Sequence, residues 1–137
     1  MGEVGYILFA HGSSMESANE EVRRMAAQMA QAGGFPVVET AFLELAQPDL
    51  AGAVAQIADR VSRIVVVPYF LSHGIHLRRD LPNLIEEIRV ARPRLHIQAA
   101  PPISEHAGVI DLLVNAARKT AEKNSDRKAT DPTESHG

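Results

Sequence analysis

The chain has 137 residues, 45% hydrophobic and 23% charged, with a net charge of −3 and no cysteine. That length suits one domain with a buried core, and the missing cysteines exclude disulfides, thiolate metal ligands and a cysteine nucleophile. An acidic balance without a Lys/Arg run, and 4% aromatics with no tryptophan, argue against a nucleic-acid surface.

Met1 begins no basic-then-apolar leader, and no apolar run nears the roughly 20 residues of a membrane span. A cytoplasmic protein is therefore expected. Val4 to Ala10 is a short, nearly continuous apolar run, the pattern of a strand covered on both faces. Gly12, Ser13 and Ser14 follow, and the two serines are suitable N-caps for a helix. That helix carries Ala18, Val22, Met25, Ala26 and Met29 at helical spacing and ends at Gly33-Gly34. Phe35 to Leu43 reads as a second strand. Pro48-Asp49 opens a second helix, with Leu50, Val54, Ile57, Ala58 and Val61 on one face.

Ile64 to Val67 is a third strand, the most β-branched in the chain. After a loop over 69–77, Leu81, Leu84, Ile85 and Ile88 mark a third helix, closed before Pro93. Leu95 to Ala100 is a weaker fourth strand, and Ile110, Leu113, Val114 and Ala117 mark a last helix. The expected organisation is one domain over 1–123 and a polar, disordered tail over 124–137. Four strand–helix alternations predict a single α/β domain: a parallel sheet of about four strands with helices on both faces.

In such sheets ligands gather beyond the carboxyl ends of the strands. His11 stands at the first of these ends, Glu44 at the second, and His73 and His76 after the third. Any one such histidine is more often a loop residue bonded to nearby backbone. Three strand ends offering imidazole or carboxylate to one rim form a different pattern, a donor set for a borderline dication. His73-x-x-His76 alone is a weak motif, because a dedicated zinc site needs further ligands at set spacing. His96, among apolar neighbours in the fourth strand, reads as a core or edge residue, and His106 and His136 belong to no motif.

Gly12 and Ser13 sit where a strand–glycine–helix turn can turn amides toward an anion. Arg78 and Arg79 follow His76 and could pair with carboxylates of a ligand. No nucleotide-binding glycine motif and no G-x-S-x-G elbow is present. A histidine phosphatase would want an arginine directly before the histidine, where Ala10 stands. A carrier that binds a metal or a small ligand without turnover would keep the same histidines.

ILFAHGSS (from Ile7), AFLELAQPDL (from Ala41), VVVPYFLSHGIHLRRDLPNLI (from Val65) and APPISEHAGVIDLL (from Ala100) occur in this order. Together they resemble the signature blocks of the small CbiX-type sirohydrochlorin chelatases, class II tetrapyrrole chelatases, over about residues 4–120. The most specific block is P-x-F-L-x-x-G-x-H-x-x-x-D-x-P, matched from Pro68 to Pro82. The resemblance implies a chelatase-like fold and insertion of a divalent metal into sirohydrochlorin without nucleotide hydrolysis. By position it assigns His11, His76 and Glu44 as catalytic and metal-contacting residues. Ligand and base duties both stay open to the histidines, and His73 departs from the family pattern.

No permanent cofactor is implied, since the metal is itself a substrate. Cobalt is favoured on the family label, with nickel and iron as alternatives. Gly12, Ser13, Arg78 and Arg79 are the candidate contacts to the polycarboxylate. Longer relatives contain two such units, so a single-unit chain implies a homodimer.

Overall fold

Runs such as Tyr6–Ala10 and Ile64–Val67 place apolar, often β-branched side chains at consecutive positions, which a strand tolerates when both its faces are covered. The computed structural model describes residues 3–70 and 74–127, with backbone alone for 75, 76 and 124–127. It sets those runs in the two central strands of a parallel sheet. The elements are β1 (Glu3–Ala10), α1 (Glu16–Gly33), β2 (Val38–Phe42), α2 (Leu50–Ile57), β3 (Val61–Pro68), α3 (Ile75–Ala91), β4 (His96–Ala99) and α4 (Gly108–Arg127). The strand order is β2-β1-β3-β4, all pairs parallel. The α/β architecture expected from the alternation is the one observed.

Register explains the two layers. Phe9 pairs with Ala41, and Ile64 with Ile97. These side chains join Ile7 and Val66 in one buried cluster with Leu50, Val54 and Ile57 of α2 and Leu81, Ile85 and Ile88 of α3. Residues one position along, Leu8, Ala10, Thr40 and Phe42, are also buried but face the other way. On that face Arg23 of α1 lies over the Phe42 ring, 5.5 Å from its centroid. Each fully buried Ile, Leu or Phe contributes about 1.5–3 kcal/mol of transfer free energy.

Several boundaries differ from those expected. Asn19 and Ala26 are the buried residues of α1, while Ala18 is exposed and Met25 partly so. The helix's inner face is thus rotated from the expected one. Its N-cap is Met15, with no side-chain cap, rather than Ser13 or Ser14. Gly34, at φ 65°, ends α1 as expected. β2 begins at Val38 because Phe35 turns aside to stack on Tyr6, ring centroids 4.1 Å apart. Asp49 caps α2, accepting from the Gly52 N–H at 2.8 Å.

The chain divides into two compact units, residues 1–103 and 104–137. The first holds the sheet and α1 to α3. The second holds α4, which runs beyond position 123 to Arg127. No proline or glycine lies between Val109 and Arg127, and Ala121, Glu122 and Lys123 are good helix formers, so polarity alone does not end the helix. No helix among the described residues is long and apolar enough to cross a membrane.

Candidate active site

The rim forms because strand pairing outlasts the strands. Past β1 and β2, the Leu43 N–H donates to the Ala10 carbonyl at 2.9 Å, and the Glu44 N–H to the His11 carbonyl at 3.1 Å. The two loops therefore leave the sheet side by side. Gly12 permits this approach: its φ is +94°, and a Cβ there would fall 1.8 Å from the Glu44 carbonyl oxygen. Only glycine fits that position.

The consequence is one contact between side chains. His11 Nε2 lies 3.1 Å from Glu44 Oε2, with side chains 61% and 57% exposed. Even a fully charged pair so exposed would contribute only roughly 0–1 kcal/mol to stability. The contact therefore does little to hold the fold. The His11 ring also meets Phe70 edge-on, centroids 6.2 Å apart, and Phe70 in turn packs edge-on against buried Phe9. Imidazole and carboxylate are thus held together on one exposed edge, a donor pair suited to a borderline dication or to proton acceptance. Among the described residues no third acidic or imidazole group joins them.

The other candidates distribute as follows. His76 lies in the first turn of α3, and its side chain is outside the described residues, as is all of His73. Arg78 and Arg79 are exposed on α3 and make no ion pair among the described residues. Arg78 lines a cavity with Gln98 and Ala99 of β4. Ser13 is held within its own loop: its N–H donates to Asn19 Oδ1 at 3.0 Å, and its carbonyl accepts from Asn19 Nδ2 at 2.9 Å. Its hydroxyl accepts from the Met15 N–H.

Asn19 is the positioning residue that pattern reading missed. Only 2% exposed, it bonds both backbone groups of Ser13 and ties the loop after His11 to α1. The available signal was a polar residue at helical spacing with Val22 and Ala26. Its amide also donates to Glu16 Oε1 at 3.2 Å. Hydrogen bonds from Arg23 and then from Asn19 hold the Glu16 carboxyl below the usual carboxylate range. Glu16 therefore stays an acceptor for Asn19 over a wide pH span.

The CbiX family model matches residues 5–120. The chain belongs to the CbiX family. It is 39% identical over 83 residues to the sirohydrochlorin cobaltochelatase of Methanopyrus kandleri, a match covering 60% of this chain and 58% of that protein. It is 32% identical over 117 residues to the sirohydrochlorin cobaltochelatase of Sulfolobus acidocaldarius, covering 85% of this chain and 91% of that one. The crystal structure of a CbiX protein from Marinobacter aquaeolei VT8 superposes with a TM-score of 0.77 at 29% identity, covering 88% and 98% of the two chains. The chain thus spans little more than half of the Methanopyrus relative but nearly all of the other two.

Proposed function

We propose that this CbiX-family chain is a sirohydrochlorin chelatase, inserting a divalent metal into the tetrapyrrole without nucleotide hydrolysis, in cobalamin or related tetrapyrrole biosynthesis. The observation that carries the reading is the exposed His11–Glu44 contact at the carboxyl ends of β1 and β2. Relatives named sirohydrochlorin cobaltochelatase support it and favour cobalt over nickel or iron. The metal enters as a substrate in this reading, and no permanent site is required.

Metallation removes two pyrrole N–H protons and strips water from a dication. Neutral imidazole can take either duty, through one lone pair that receives the metal or the proton. His11 and His76 share these duties in the proposed scheme. Glu44, beside His11, offers a further oxygen donor or proton acceptor. Arg78 and Arg79, lacking acidic partners among the described residues, would hold carboxylates of the substrate. Gly12 and Ser13 would shape the wall beside it, since the Ser13 amide is already donated to Asn19.

The working unit in this reading is a cytoplasmic homodimer. Longer relatives, as the family resemblance implies, hold two such units, which supports the pairing of two copies of this one. A solution mass equal to one chain would contradict the pairing. The activity itself is tested by mixing the protein with sirohydrochlorin and cobalt(II), nickel(II) or iron(II) and following the absorption change. Acceleration over the protein-free reaction, largest for cobalt, is expected. Tight binding of the tetrapyrrole with no acceleration for any metal would make the protein a carrier instead.

A further inference from the structure

We propose that Leu45, the residue after Glu44, is a substrate-contacting residue whose exposed side chain bears on the apolar face of the tetrapyrrole macrocycle. The proposal rests on the chelatase reading and adds to it a source of affinity that the polar donors do not supply.

Leu45 combines two unfavourable features that the fold does not offset. Its φ of 67° lies in the left-handed region, where the Cβ of an L residue crowds the following carbonyl. Its side chain is 66% exposed, so its apolar surface stays in water. Leu43, two residues earlier, packs against the core instead. Exposure alone would need no explanation, because single apolar side chains are common on protein surfaces. A left-handed turn alone would need none either, but glycine or asparagine makes it with less crowding. Leucine at this position has both features at once, and backbone strain of this kind gathers where ligands are held.

The loop fixes where that side chain stands. Its first residues are pinned to the β1 loop, the Leu43 N–H donating to the Ala10 carbonyl and the Glu44 N–H to the His11 carbonyl. Its far end is closed by the Phe42 N–H, which donates to the Pro48 carbonyl at 2.9 Å. Residues 43–47 thus form a closed loop, with Glu44 and Leu45 exposed.

The chemistry of the rim selects the occupant. Glu44 Oε2 lies 3.1 Å from His11 Nε2, and the Leu45 Cα is about 3.8 Å from that of Glu44. A metal that passes from these donors into a tetrapyrrole needs the ring centre beside them. Pyrroles surround that centre, so a ring so placed extends past the donors and reaches the adjoining residue. The faces of the conjugated ring are apolar, and its carboxylates lie at the periphery. Leucine matches the face, as the exposed arginines of α3 match the periphery. Half-buried Phe70, edge-on to the His11 ring, is a second apolar neighbour of the donors.

Titration of the full chain with metal-free sirohydrochlorin, followed by absorption, tests the contact beside the metallation rate with cobalt(II). Leu45→Asn removes the apolar surface and keeps a residue that tolerates the left-handed turn. It should weaken sirohydrochlorin binding about tenfold and raise KM, with kcat little changed. Its melting temperature should equal or exceed that of the wild type, a result that loss of a structural contact would not give. Leu45→Gly should behave alike and serves if Leu45→Asn fails to fold, whereas Leu45→Met should keep the wild-type affinity. Val90, 73% exposed near the far end of α3, is the control, and Val90→Asn should bind as the wild type does. A folded Leu45→Asn variant with wild-type affinity would overturn the proposal while leaving the chelatase reading intact. So would a fall in kcat with KM unchanged, or an equal loss in Val90→Asn. If the chelatase reading alone fails, no metal is inserted faster than without protein, yet Leu45→Asn still weakens binding. A wild-type chain that does not bind sirohydrochlorin would overturn both.

Discussion

Two corners of the same sheet bring polar side chains together in different ways. At the carboxyl ends of β1 and β2, a histidine and a glutamate are drawn into contact by backbone pairing that continues past the strands. At the amino ends of β3 and β4, Arg63 and His96 are set side by side by strand register alone, and among the described residues neither forms an ion pair with a carboxylate. Register is enough to bring polar side chains together. What distinguishes the rim is the backbone approach at Gly12, which holds a nitrogen and an oxygen donor 3.1 Å apart.

The comparison breaks most severely at Gly12. Gly12→Ala would set a methyl carbon against the Glu44 carbonyl while forcing a left-handed backbone on a side chain. We expect a loss of about 2 kcal/mol or more, together with a fall in metallation rate as the two loops part. Thermal melting alongside the absorption assay would measure both. A variant that melts and metallates like the wild type would mean that the loops need not lie so close.

A smaller effect is expected at Asn19. Replacement by alanine leaves the Ser13 N–H and carbonyl without their partner in a partly buried loop, costing about 1–3 kcal/mol. Because Asn19 acts on the rim only through that loop, its activity loss should be milder than that of His11→Ala. A loss of activity as large as that of His11→Ala would mean that Asn19 does more than hold the loop.

The fold was legible where patterning and punctuation agree. The Ile64–Val67 run, the Gly33-Gly34 stop and the Pro48-Asp49 start each reappear as a strand, a helix end and a capped helix start. Legibility failed where a residue is committed elsewhere. Ser13 and Ser14 have the chemistry of caps, yet Ser13 is held in the loop by buried Asn19, and α1 starts later. Phe35 has strand propensity but stacks on Tyr6 outside β2. The meeting of His11 with Glu44 was legible as a convergence of strand ends. Its cause, backbone pairing past the strands with a glycine at the closest approach, depends on three-dimensional register that no local pattern carries. The Arg63–His96 juxtaposition escaped for the same reason: those residues are far apart in the chain and meet only through the pairing of β3 with β4.

The central claim is that the imidazole at the His11 rim performs the metal and proton chemistry. The most direct test is the rate of metallation at limiting cobalt(II), corrected for the protein-free reaction, in the wild type, Glu44→Gln and His11→Ala. Glu44→Gln keeps an oxygen beside the ring and should lose the less of the two. His11→Ala removes the nitrogen donor and should be slower by an order of magnitude or more, with its thermal melting unchanged. A folded His11→Ala variant that metallates at the wild-type rate would contradict histidine-centred chemistry.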